Sequence, residues 1–102
     1  MKSILQHDRF AAWHAGLKDG KGRAIIADRM KRLARGLEGD AKSVGDGVRE
    51  LRIAFGPGYR IYFAERGGDL IVLLAGGTKR RQRADVAAAK HLLRDLIASG
   101  DV

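Results

Sequence analysis

A chain of 102 residues has room for one domain, spanning 1–102, with one two-layer core and no linker or second domain. Apolar residues at 45% and charged residues at 31% place it among globular proteins, and the absence of cysteine excludes disulfide frameworks, thiolate metal sites and cysteine nucleophiles. The formal charge of +8 points to a polyanion or an acidic protein as partner.

Residues 2–6 read as a short edge strand whose apolar content is Ile4 and Leu5. Asp8 is placed to N-cap a helix in which Phe10, Trp13 and Leu17 recur at i, i+3 and i+7, ending near Gly20. At that spacing Trp13 reads as core rather than as a platform for a nucleobase. A second helix is expected over 21–36, where Ile26, Met30, Leu33 and Leu37 form a buried stripe and Gly36 stops the helix. Its other side carries Lys21, Arg23, Arg29, Lys31, Arg32 and Arg35 against Asp28 alone. Such a ridge is ordinarily a solvated face, but it also attracts phosphates irrespective of sequence, and Arg23, Lys31 and Arg35 are its candidate RNA contacts. The glycine-rich, acidic stretch 37–47 reads as a loop without a site.

From Val48 onward the pattern changes to period two. Leu51, Ile53, Phe55, Tyr59, Ile61 and Phe63 fall on one sheet face, and Glu50, Arg52, Arg60 and Tyr62 on the other. A symmetric hairpin about Gly56-Pro57-Gly58 pairs Phe55 with Tyr59 and sets Arg52 opposite Tyr62, with Arg60 a diagonal neighbour of Arg52 at about 7–8 Å. Two guanidinium groups sharing an open sheet face read as a site for an anion. The plainer alternative is solvated strand arginines paired to Glu50 or Glu65. After a Gly67-Gly68 turn, the unbroken apolar run 70–75 is expected to be an inner strand buried on both faces. Val86, Ala89, Leu93, Leu96 and Ile97 mark a last helix over 82–99 that covers the sheet. Just before it stand Lys79, Arg80, Arg81 and Arg83, where the helix dipole disfavours cations and a bound phosphate would reverse the balance.

His7, His14 and His91 are scattered without ligand spacing, so no metal or cofactor is expected. No stretch has the length of a membrane span and the first residues form no signal peptide, so the expected location is the cytoplasm, with no membrane partner.

The phrases Gly47-Val48-Arg49-Glu50-Leu51-Arg52-Ile53, Gly56-Pro57-Gly58-Tyr59-Arg60-Ile61-Tyr62-Phe63 and Gly76-Gly77-Thr78-Lys79, set in this order of elements, resemble the RelE/ParE superfamily of type II toxins, within it the HigB-like addiction module killer group. The resemblance implies an α+β fold, two N-terminal helices and a C-terminal helix packed on a small, mainly antiparallel sheet of three to four strands. It implies a toxin neutralised by an antitoxin, often a helix-turn-helix protein, encoded beside it. Many relatives are mRNA interferases: they cleave messenger RNA in the ribosome without a metal and so inhibit translation. ParE-type relatives instead inhibit DNA gyrase without catalysis. Arg60 matches the strand arginine that contacts the scissile phosphate, Arg52 replaces a strand lysine, and Lys79 with Arg80 match a Lys-Arg pair before the last helix.

For such an endoribonuclease Arg52, Arg60 and Arg80 are the candidate clamps on the phosphorane charge. Lys79, a lysine among cations, is the candidate general base, and Tyr62 the candidate acid. Arg81 and Arg83 join the candidate RNA contacts. The chain departs from the pattern where RelE-like enzymes carry a tyrosine in the last helix, having Val86 or a near neighbour there, and it lacks the Asp-Tyr-His ending of some HigB toxins.

Overall fold

The alternation around the Gly-Pro-Gly turn produces the central hairpin: β3 (Val48–Ile53) runs antiparallel to β4 (Tyr59–Arg66). In the computed structural model, which describes residues 1–102, these strands lie within one five-stranded sheet. β1 (Ser3–Gln6) is followed by α1 (Asp8–Ala15) and α2 (Gly20–Ala34), then β2 (Ala41–Gly45), the hairpin, β5 (Leu70–Thr78), a 3-10 turn (Lys79–Arg81) and α3 (Gln82–Ala98). The sheet order is β1-β5-β4-β3-β2, antiparallel except where β1 joins β5.

The sheet has more strands than the three to four expected, because part of the expected loop 37–47 is β2. The signal was faint: only Ala41 and Val44 are apolar, and the turn is made by Gly45, Asp46 and Gly47, all at positive φ. β5 lies between β1 and β4, as the unbroken apolar run implied. A bulge opposite Tyr62 and Phe63 pairs them with Ala75 and Leu73, so Leu74 and Ala75 both turn toward α3.

Each sheet face buries its own core. Leu51, Ile53, Tyr59, Ile61, Phe63, Ile71 and Leu73 pack with Phe10 of α1 and with Ile26 and Leu33 of α2. On the other face Val48, Tyr62, Ala64, Val72 and Leu74 pack with Ala89 and Leu93 of α3. The expectation of an open polar face is therefore corrected for most of that face: α3 closes over Glu50 and Tyr62, which are wholly buried, and Arg60 is 7% exposed, while Arg52 stays partly exposed at the end of the face.

Smaller corrections follow from local chemistry. The N-cap of α1 is His7, whose Nδ1 accepts the Arg9 N–H at 3.0 Å, and Asp8 is the first helical residue. α1 stops at Ala15, well before Gly20, and Asp19 begins the next helix by accepting the Gly22 N–H at 3.0 Å. The same carboxylate accepts the Tyr59 hydroxyl at 2.8 Å, fastening α2 to β4. These two bonds, the Gly22 amide first, hold the Asp19 carboxyl below its usual range. Gly36 does end α2: at φ 81° it lets its own N–H reach the Leu33 carbonyl and the Leu37 N–H reach that of Arg32. Leu37, expected in the stripe, is instead 52% exposed beyond that cap, and Met30 only fringes the core.

Two adjacent glycines of β5 bring the layers together. A Cβ at Gly76 would lie 2.1 Å from the Trp13 ring, and one at Gly77 would lie 1.9 Å from Asp85 Oδ2. Trp13 thus rests on the strand backbone, edge-on to Tyr59 at 6.2 Å. Gly76→Ala is expected to cost about 1–3 kcal/mol in urea melts through this clash. The cost should shrink in a Trp13→Ala background, where the colliding ring is gone.

Candidate anion-binding site

The hairpin loop is longer than a symmetric Gly-Pro-Gly turn, since the strands part at Ile53 and Tyr59, with Gly56 and Gly58 at positive φ between them. The register therefore differs from the expected one by two residues. Arg52 stands directly opposite Arg60 rather than Tyr62, and Tyr59 pairs with Ile53 rather than Phe55. A shift of two keeps every side chain on its expected face and moves the arginines from diagonal to facing positions, where like charges repel most.

Gly58 brings in a third cation. Its carbonyl accepts the Lys79 N–H at 2.8 Å, which lays the 3-10 turn against the hairpin loop. A Cβ at 58 would come within 3.2 Å of Lys79 Cβ and 3.6 Å of the Arg60 guanidinium, so glycine permits the close approach. Arg52, Arg60 and Lys79 then line one depression of about 400 Å³, together with Asp40, Ile53, Ala54 and Gly58. Asp40 is its only acid. The Arg52–Asp40 contact is 3.4 Å between groups 41% and 65% exposed, a pair of little strength. Arg60 makes no ion pair, and the Nε atoms of Arg60 and Arg52 are buried without a partner. Three cations, two with unused donors, surround a space open to solvent.

Behind the depression, under α3, lies a buried polar layer. Gln82 donates to Glu50 Oε2 at 2.8 Å, while Glu50 Oε1 and the Tyr62 hydroxyl lack partners of good geometry. Burial first, and then the Glu50 carboxylate, push the Tyr62 phenol well above its ordinary range. Asp85, 4% exposed, is likewise raised by burial, with Arg81 and Arg9 opposing.

The other residues singled out from sequence lie elsewhere. Tyr62 is sealed beneath α3 and does not line the depression. Arg80 is exposed on the turn beside Lys79, and Arg81 and Arg83 are exposed at the start of α3. Arg23 donates to the Leu17 carbonyl, and its own carbonyl bonds His14 Nε2 at 2.9 Å, so it clips α1 to α2. Lys31 and Arg35 are exposed toward the far end of α2, Lys31 beside Ile4 and Gln6 of β1. Lys21, Arg29 and Arg32 of α2 instead line, with Asp28, a groove of about 570 Å³ that shares Ile53 and Ala54 with the depression. Sequence reasoning missed Asp40, which lies in a stretch read as inert. It also missed the burial of Glu50 and Asp85, although Glu50 shares the face of Arg52 by alternation.

Residues 12–95 match the model of the family described as Phage derived protein Gp49-like (DUF891). The chain belongs to the Gp49-like family. This Gp49-like chain is also 46% identical over 87 residues to an uncharacterized protein of Haemophilus influenzae, covering 85% of this chain and 88% of the relative.

The titration of Tyr62 gives a test of the buried layer. A phenol whose folded pKa exceeds its unfolded value near 10 stabilises the fold fully below pH 10, and that contribution falls as pH rises above it. Tyr59 is raised too, through its bond to Asp19, so the comparison must be between wild type and Tyr62→Phe. Between about pH 8 and about pH 11, the wild type should lose up to about 1.4 kcal/mol more stability in urea melts than the variant.

Proposed function

We propose that this chain is the toxin of a type II toxin–antitoxin pair and that it cleaves messenger RNA on the ribosome without a metal. The observation that carries the reading is Arg60: a nearly buried guanidinium with an unpartnered Nε, facing Arg52 and sharing an open depression with Lys79. Membership of the Gp49-like family, a RelE/HigB-type group, supports the toxin class.

RNA cleavage of this kind requires that the 2′-hydroxyl lose its proton and attack phosphorus. The P–O5′ bond then breaks and the 5′-oxygen is protonated, leaving a 2′,3′-cyclic phosphate and a 5′-hydroxyl. Arg52 and Arg60 are arranged to hold the equatorial oxygens of the phosphorane in forked hydrogen bonds. The depression contains one carboxylate and one amine, which suggests exchanging the roles read from sequence. Asp40 accepts the 2′-hydroxyl proton and Lys79 delivers one to the 5′-oxygen. Tyr62, enclosed under α3, has no part in this scheme. Arg80, Arg81, Arg83 and the cations of α2 attract the RNA backbone. The partners are the ribosome, messenger RNA and a cognate antitoxin, proposed to be a helix-turn-helix protein from the adjacent gene. The proposed location is the cytoplasm, and no helix is long and apolar enough to cross a membrane.

One observation favours the reading in which the toxin inhibits gyrase without chemistry. Where RelE-like nucleases carry a tyrosine, Val86 packs half-buried against the core beneath α3. The two readings part on Arg60. If the protein is a nuclease, Arg60→Ala should lower mRNA cleavage in a translating extract by about two to three powers of ten, as removing one oxyanion donor does. Arg60→Lys should restore only part of the rate, since an ammonium cannot make the forked contact. Thermal melts control for folding. An Arg60→Ala protein that folds and arrests growth as the wild type does would put the gyrase reading first.

A further inference from the structure

A second cavity lies on the other side of the β5 end, and the mechanism above makes no use of it. β1 pairs with β5 only as far as Leu73, so residues 74–78 have no strand on that side. The space left, about 210 Å³, is lined by Arg9 and Trp13 of α1, by the backbone of Gly76, Gly77 and Thr78, and by Arg81 and Asp85. It would hold about seven waters at ~30 Å³ each, or one planar heterocycle. Asp85 is nine-tenths buried, its Oδ2 has no hydrogen-bond partner, and the nearest cation, Arg81 Nε, stands 4.0 Å from Oδ1. Rotation about an aspartate Cβ–Cγ bond is soft, so the orphaned oxygen can turn toward a donor in the cavity.

We propose that this cavity receives one unstacked nucleotide of a single-stranded RNA, its base against Trp13 and its amino edge on Asp85, with guanine preferred. Single-stranded RNA is recognised in this way, by an aromatic side chain under an extruded base and polar groups at its Watson–Crick edge. Guanine presents two adjacent donors, N1–H and the exocyclic amino group, to a carboxylate, whereas uracil offers only N3–H. Arg9 and Arg81 at the rim repel a cationic side chain and attract the phosphate of a nucleotide, which decides against a basic peptide as occupant. The two cavities adjoin through the strand: Gly77 pairs with Arg60, and Arg81 follows Lys79 on the same short turn. A phosphate on Arg52 and Arg60 would lie about two strand spacings, roughly 10 Å, from a base in this cavity, within the reach of one or two nucleotides. The proposal thus deepens the nuclease reading by naming what selects the cleavage position.

Trp13 is the only tryptophan of the chain, so its fluorescence reports occupancy directly. The full-length protein is titrated with 5′-GMP, 5′-CMP, 5′-AMP, 5′-UMP and inorganic phosphate. The expected result is saturable quenching by GMP, with affinity about tenfold or more above that for UMP, and none by phosphate. In Asp85→Asn, which changes no volume, the GMP preference should fall to near parity while quenching persists. Equal quenching by all four nucleotides, no quenching by any, or an unchanged preference in a folded Asp85→Asn protein would overturn the base pocket. The assay involves no cleavage, so it fails or succeeds separately from the nuclease reading.

Discussion

Arg52 and Arg60 face each other across β3 and β4, and two like charges so placed repel unless something else holds them. What holds them is the sheet, whose two faces are both buried and whose register cannot slip by one residue without turning the apolar set inside out. The repulsion is thus imposed by packing and is not relieved locally. Arg60 has no acid partner, and the contact of Arg52 with Asp40 is long and exposed. An anion between the two guanidinium groups would remove the repulsion, which is why the depression they line reads as a site.

The supporting structure depends on small residues at points of contact. Gly58 lets the turn before α3 come against the hairpin loop and delivers Lys79. Gly76 and Gly77 let Trp13 and Asp85 reach the backbone of β5 from opposite faces, so both walls of the second cavity stand on the strand that pairs with Arg60. Asp19 ties the start of α2 to Tyr59, next to Arg60, through a hydrogen bond favouring the ionised carboxylate and the neutral phenol. The positions of the cations are consequences of backbone contacts made elsewhere.

Much of this was legible in the sequence, and the misses have physical causes. Period-two alternation assigned Leu51, Ile53, Ile61 and Phe63 to one face, because a strand buried on that side tolerates nothing else. It could not give the register, which depends on how Gly56 and Gly58 shape the loop. Glu50, Arg52, Arg60 and Tyr62 look like a solvated face by composition, yet α3 lies over Glu50 and Tyr62, and only the Arg52 and Arg60 end borders an open depression. A helix may cover polar residues where partners such as Gln82 reach them, and period alone does not reveal it. β2 escaped notice because an edge strand is held mainly by backbone hydrogen bonds and needs few apolar side chains. With it went Asp40, the one carboxylate in the depression.

Whether Arg52 and Arg60 together clamp an anion is read most directly from a nitrogen-15 spectrum of arginine Nε–Hε groups during titration with inorganic phosphate. Arg→Lys variants would assign the resonances. A shared clamp should make the Arg52 and Arg60 signals move together and saturate at phosphate concentrations where exposed arginines such as Arg83 and Arg94 barely respond. Signals of Arg52 and Arg60 that stay fixed, or that drift without saturating in step with Arg83 and Arg94, would contradict it.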